Sequence, residues 1–193
     1  MNTVAEALPS LARARLRAGD TFTARELLAL TGRSVRVPDA RSIVHLQLRR
    51  YAGCPICNLH LRSFTRRKDE LDRAGLREVV VFHSSADELR RTQTELPFDV
   101  VPDPTRQLYD ALGVTSSPRA LLDPRVWGSI VRAAVAGASA DPSAGRSDGP
   151  FGLPADFLVA PSGRVLAVKY GVHADDQWSV DDLLALAASE AAS

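Results

Sequence analysis

Apolar positions recur at a period near two in some short runs and near 3.6 in others, so strands and helices alternate along the chain. Residues Phe22 to Leu27 and Ser34 to Val37, joined by a turn around Thr31, Gly32 and Arg33, read as an edge hairpin. Gly32 supplies the permissive backbone of that turn, and a helical turn over Leu27 to Leu30 is the alternative. Ile43 to Leu48 is a short strand candidate that leads directly into Cys54. Leu59, Leu61, Phe64 and Leu71 then fall at helical spacing, predicting one helix over Pro55–Ala74 that stops at Gly75. Val79 to Phe82 is a β-branched run of the kind that forms a buried parallel strand.

Ser85 and Glu88 have the spacing of a capping box, so a helix is expected from there to about Glu95. Phe98 to Val101 is another strand, and Asp103 followed by Pro104 predicts the N-cap and first turn of a helix ending near Gly113. Between Arg119 and Ala138, residues Val126, Trp127, Ile130, Val131, Ala134 and Val135 define one helical face. That face is expected to pack on the domain, with a lid or a dimer contact as the alternative. Residues 140–152, rich in Ser, Gly, Asp and Pro, read as a mobile loop. Asp156 to Val159 and Val165 to Val168 flank Pro161, Ser162 and Gly163 as a hairpin, and Ser179 to Asp182 opens a last helix. Crossover helices imply a mainly parallel sheet, and the late hairpin adds an antiparallel edge. The expected organisation is an N-terminal extension over 1–18, in which Leu8 to Leu16 is a weak helix, and one domain over 19–193 with an inserted helix and loop at about 115–152.

Composition narrows the function. The 193 residues carry a formal net charge of +1, which offers no electrostatic footprint for nucleic acid. Lysine occurs only at Lys68 and Lys169, a compositional bias rather than a binding feature. No apolar run approaches the roughly 20 residues of a membrane span, and the N-terminus lacks the apolar core of a secretory signal. The expected location is cytoplasmic. In that compartment two cysteines spaced by two residues are more often catalytic or metal-binding than structural.

Those cysteines are Cys54 and Cys57, in Gly53-Cys54-Pro55-Ile56-Cys57. A strand ending before them and a helix beginning at Pro55 place Cys54 at a helix N-cap, where unpaired N–H groups and the helix dipole favour the thiolate. Cys57 lies on the same face, within reach of an oxidised Cys54, as an attacking thiol and a resolving thiol should be. Three other readings stand beside this one: half of a zinc site extended by His60, two inert core cysteines, or a structural disulfide. The strand–turn–helix setting favours redox chemistry. His83, at the carboxyl end of its strand, is either a polar strand-end residue or a group that tunes the thiolate. His45 is expected to be a satisfied, semi-buried histidine. His60 is expected on the helix surface or against the sheet, and a metal site around His173, Asp175 and Asp176 is disfavoured.

The run from Arg49 through Cys54 and Cys57 to Arg62 resembles the peroxiredoxin-like proteins of the AhpC/TSA type, the branch with a Cys-x-x-Cys after an arginine-bearing strand. Val100 to Gly113 is similar to that family's segment between core strands, and Gly152 to Val165 to the late hairpin of thioredoxin-fold proteins. The resemblance spans about Gly19 to Leu186. It implies a thioredoxin-like α/β fold with a central mixed sheet, Cys54 as the peroxidatic cysteine and Cys57 as its resolving partner. It also implies a cis-proline at Pro154, beside the cysteines. The family's proline and threonine seven and three residues before the peroxidatic cysteine are replaced by Gln47 and Tyr51. Its arginine before the hairpin strand is replaced by Pro154 and Ala155, with Arg50, Arg49 or Arg119 as substitutes. Gly53 stands where thioredoxins carry tryptophan.

The expected function is a peroxidase using the cysteine pair. A thiol-disulfide oxidoreductase, or a non-catalytic binding or sensing module, is the alternative. The supporting residues are Pro154, Tyr51, Arg50 and His83. The expected partners are a peroxide or disulfide substrate, a thioredoxin-like or low-molecular-weight thiol reductant, and a second copy in a possible homodimer. No cofactor, metal, nucleic acid or membrane is expected to take part.

Overall fold

Five strands form the central sheet in the order Asp99–Pro102, Leu76–Phe82, Ile43–Arg49, Ala155–Val159 and Val165–Tyr170, and its middle strand leads straight into Cys54. The structure is a computed structural model describing residues 15–93, 96–117, 123–137 and 151–191. The strands are β3 (Ile43–Arg49), β4 (Leu76–Phe82), β5 (Asp99–Pro102), β6 (Ala155–Val159) and β7 (Val165–Tyr170). β3, β4 and β5 run parallel, while β6 runs antiparallel beside β3 and β7 antiparallel beside β6. The sheet is therefore mixed, and the antiparallel hairpin occupies one side of it, as expected. Gly163 turns that hairpin with φ of 86°, a left-handed backbone that glycine adopts freely. β1 (Arg25–Leu28) and β2 (Ser34–Val37) form a separate two-stranded ribbon, which excludes the helical turn at Leu27 to Leu30.

The helix expected over Pro55–Ala74 is two helices, α1 (Pro55–Arg66) and α2 (Lys68–Arg73). The chain breaks at Arg67, with φ of −111° and ψ of 21°. Arg67 pairs with Glu70 and Asp181 there, while Phe64 and Leu71 on either side of the break are fully buried. α3 (Ala86–Thr92) starts with the expected capping box of Ser85 and Glu88. α4 (Gln107–Ala111) starts later than Asp103-Pro104 predicts, because Arg106 takes a left-handed conformation in between. Asp103 still caps it from a distance: its carboxylate accepts from the Gln107 and Leu108 amides at 3.0 and 2.8 Å.

α5 (Pro124–Val135) is shorter than expected and turns the other way. Val126, Ser129 and Ala133 are buried, whereas Trp127, Ile130, Val131 and Val135 are exposed. The expected apolar face is thus mostly the outward one. The loop of 140–152 falls outside the described residues except at Phe151 and Gly152, and so does most of the weak N-terminal helix. α6 (Val180–Ala191) begins where Ser179 and Asp182 cap each other. No helix among the described residues is long and apolar enough to cross a membrane.

The two faces of β3 have opposite chemistry, and both are buried. Val44, Leu46 and Leu48 pack with Val35, Val37, Val79, Val81 and Tyr109. His45, Gln47 and Arg49 point to the other side, under α1 and α6, and are equally inaccessible. Each fully buried Val or Leu on the apolar face contributes about 1.5–3 kcal/mol relative to exposure. The polar face contributes only if its hydrogen bonds are complete.

Candidate active site

Cys54 caps α1. Its φ and ψ of −71° and 112° are extended, and its sulfur accepts from the Cys57 amide at 3.4 Å. The Cys54 carbonyl accepts the Asn58 amide at 3.0 Å, and Pro55 fills a first-turn position where no N–H is needed. Arg50 brings a guanidinium to the sulfur, with Nη1 3.5 Å from Sγ. The turn between β3 and α1 is held from three sides. Ser84 Oγ accepts from the Ala52 amide at 3.0 Å, Gln93 Nε2 donates to the Ala52 carbonyl at 2.9 Å, and Cys54 N donates to Tyr51 O at 3.1 Å. Tyr109 ties the ends of β3 and β4 together, its one hydroxyl proton shared between the carbonyls of Arg49 and Val81.

The two thiols are free, fully buried and unequal. Burial alone would raise Cys54. A hydrogen bond from the Cys57 thiol, the Arg50 charge and the Cys57 and Ile56 amides outweigh it and bring Cys54 down to about 6. Burial, the Cys54 hydrogen bond and the Cys54 charge push Cys57 well above its usual value. At neutral pH the arrangement is a thiolate at Cys54 receiving a proton donor from Cys57, which separates an attacking sulfur from a reserve one.

Tyr51 is half-buried beside the pair, and burial with the negative charge of Cys54 pushes its phenol up to about 12. It stays protonated as a potential donor. The Arg50 guanidinium carbon sits 5.6 Å from its ring centre. His83 is fully buried, with its ring 6.4 Å from that of Tyr51 and 5.7 Å from that of Tyr109. Its amide donates to the Arg50 carbonyl at 3.3 Å, so it supports the turn from behind. Pro154 differs from the expectation. The cis peptide bond among the described residues precedes Pro38, and the bond before Pro154 is trans. Pro154 backs onto Gly171, whose amide donates to its carbonyl at 2.9 Å, and a side chain at Gly171 would strike Pro154 Cγ. Arg119 lies outside the described residues.

Arg49 serves a different centre. Beneath α1, Glu78 and Asp156 contact the two ring nitrogens of His45, at 2.7 Å from Nδ1 and 3.1 Å from Nε2. Arg49 donates to Asp156 and to Gln47 Oε1, and Gln47 donates to Glu78. Strand register explains the grouping: β3 sets His45 opposite Glu78 on β4 and Gln47 opposite Asp156 on β6. Burial opposes charge on His45, yet the two carboxylates outweigh it and push it up to about 9. Burial likewise opposes ionisation of Asp156, but Arg49 and His45 hold its carboxyl well below the usual range. His60, on α1, meets Arg49 Nη2 at 3.3 Å; burial and that charge hold it neutral. It faces the sheet, away from any zinc role with the cysteines. Among the described residues no group of three or more His, Cys, Asp or Glu side chains is placed to hold a metal. His45 stands out in the sequence as a mid-strand histidine, but nothing local shows that the β3 polar positions would face Glu78, Asp156 and His60 from three other elements.

A central mixed sheet, a helix capped by a thiolate and a second thiol one turn on define a redox protein of thioredoxin-like fold. The profile of the AhpC/TSA antioxidant enzyme family matches residues 63–173, and the chain belongs to that family. The matched span begins beyond both cysteines, so the pair is read from the geometry above. No curated protein matches the sequence. The chain is similar in structure to the peroxidoxin BcpB of Mycobacterium tuberculosis, at 15% identity, over 91% of this chain and 98% of that one, with a TM-score of 0.63. It is similar also to AhpC of the same organism, at 16% identity over 92% and 94%, with a TM-score of 0.65. The thioredoxin domain of a thiol-disulfide oxidoreductase from Bacteroides vulgatus aligns over 91% and 98%, at 17% identity and a TM-score of 0.56. These likenesses establish the fold.

Proposed function

We propose that the chain is a thiol-dependent peroxidase in which Cys54 attacks and Cys57 resolves. The observation that supports this best is the asymmetry of the pair: a buried thiolate held by Arg50 and the α1 amides, beside a thiol that keeps its proton. The Cys54 thiolate attacks one peroxide oxygen and the O–O bond breaks. The departing oxygen takes the Cys57 proton and leaves as water or an alcohol. Cys54 is then a sulfenic acid and Cys57 a thiolate. The Cys57 sulfur attacks the sulfenic sulfur, hydroxide departs, and a Cys54–Cys57 disulfide remains. Arg50 is placed to stabilise negative charge on the entering and leaving oxygens. A thioredoxin-like protein or a low-molecular-weight thiol would return the pair to the dithiol.

A second reading, disulfide exchange without peroxidase activity, rests on Gln47 and Tyr51 standing in place of the family's proline and threonine. In the structure Gln47 belongs to the buried network, while Tyr51 lines the cysteines. Rapid mixing of the reduced protein with hydrogen peroxide separates the two readings. Fast loss of the Cys54 thiolate, ending in a disulfide by mass, supports the peroxidase. Slow peroxide reaction with rapid exchange against an oxidised dithiol supports the oxidoreductase. A Cys54→Ser protein that retained both activities would overturn both.

A further inference from the structure

A pocket of about 470 Å³ opens between β1, the end of β5, α3 and α4. The Leu30 amide donates to the Val100 carbonyl at 2.7 Å, which moors the end of β1 to the sheet edge and fixes that wall. Leu27, Leu30, Val101, Leu108 and Ala111 line the pocket, and Val101 and Leu108 belong to the core itself. Its size falls within the range of about 300–1,000 Å³ that small-molecule sites occupy. One cation in it is left without a partner. Burial alternates along β1, so that Arg25 lies on the same inward side as Leu27 while Glu26 and Leu28 are exposed. Arg25 Nε is buried and has no hydrogen-bond partner among the described residues. The other charged residues of the lining are engaged: Arg90 pairs with Asp87, the Asp103 carboxylate accepts the Gln107 and Leu108 amides, and Glu26 accepts from the Ser34 hydroxyl.

A buried donor on a charged group is costly to leave unbonded, so the pocket favours a ligand that brings an acceptor to Arg25. A carboxylate suits a guanidinium best, because its two oxygens match two parallel N–H donors. Asp103 and Glu26 stand in the same pocket and repel a second negative charge, which selects a monoanion. The apolar walls select a hydrocarbon body behind that head. We propose that this pocket binds a medium-chain monocarboxylate, with its carboxylate on Arg25 and its tail along Leu27, Val101 and Leu108. The lining includes neither cysteine, nor Arg50, Tyr51 or His83, so the site is separate from the thiols and does not rest on the redox reading given above.

Calorimetric titration of the full chain with octanoate tests the proposal. Octanoate is expected to bind, and acetate, which has the charge alone, and octanol, which has the tail alone, to bind at least about tenfold more weakly. Arg25→Gln should weaken octanoate by about tenfold, as the loss of a charge-assisted bond does, and change octanol binding by less than about twofold. Arg90→Gln, which removes a surface cation already paired with Asp87, should change octanoate binding by less than about twofold. No binding of octanoate by the native protein, or equal binding by native and Arg25→Gln proteins, would overturn the proposal. Amide chemical shifts locate the site on the native protein without any variant. Octanoate should move those of Arg25–Leu28 and Gln107–Ala111 and leave those of Cys54 and Cys57 in place. Shifts centred on the cysteines would overturn it as well.

Discussion

Arg50 Nη1 lies 3.5 Å from Cys54 Sγ, and both side chains are buried at the end of the strand that delivers them. A buried cation beside a buried thiol stabilises the thiolate more strongly than the same pair in water, because little solvent screens the two charges. Burial opposes the charge, but the hydrogen bond from the Cys57 thiol, the Arg50 guanidinium and the α1 amides together turn an ordinary cysteine into an acid of about 6.

The reactivity of Cys54 should therefore follow a titration near pH 6. Its ordinary value is 9.0, and the folded value is lower, so thiolate and reactivity rise through pH 6 and are nearly complete by neutrality. Arg50→Gln should move the midpoint upward and slow peroxide reaction at pH 7 by about tenfold or more. Thiolate absorbance against pH, with alkylation rates beside it, measures both.

Removing the second thiol should stop the cycle halfway. Cys57→Ser is expected to consume one equivalent of peroxide and hold Cys54 as sulfenic acid, trapped by dimedone and seen by mass. A variant that turned over like the native protein would show that Cys57 is not the resolving thiol.

The network under α1 predicts a pH dependence of stability with the opposite slope. His45 titrates at about 9 when folded and near 6.5 when unfolded. Its contribution is complete below about pH 6.5 and disappears as pH rises to about 9. The shift corresponds to about 3 kcal/mol at most. Thermal unfolding should show Tm falling across that window, and His45→Gln should flatten the fall.

Breaking the Arg49–Asp156 pair should be costly. Asp156→Ala leaves Arg49 and His45 buried without their shared carboxylate, and a loss of about 3–5 kcal/mol is expected in urea unfolding. The pair Arg49→Met with Asp156→Leu should cost less than the two single changes added together, since no lone charge remains.

The elements visible from local order are those whose signals are carried by neighbours in the chain. The Ser85–Glu88 box, Pro55 in the first turn of α1, the Gly75 stop and the Gly163 hairpin each satisfy backbone groups within a few residues, and each occurs as expected. The same locality made Cys54 and Cys57 legible, because strand, turn and helix follow one another directly. Arg50 was legible only as one arginine among Arg49, Arg50 and Arg119. Choosing between the first two depends on which face of the sheet each reaches.

The sequence alone thus determined a thioredoxin-like order of elements and a cysteine pair at a helix start, because hydrogen bonds between near neighbours encode both. Tertiary structure decided the surroundings. It placed Arg50 on the thiolate and sent Arg49 into a buried ionic network drawn from β3, β4, β6 and α1. It also turned α5 so that Val126, rather than Trp127, joins the buried cluster that holds the pair. Those outcomes depend on contacts between residues as far apart as 111 positions, and alternation or helical period in one segment carries no information about what another segment brings opposite it.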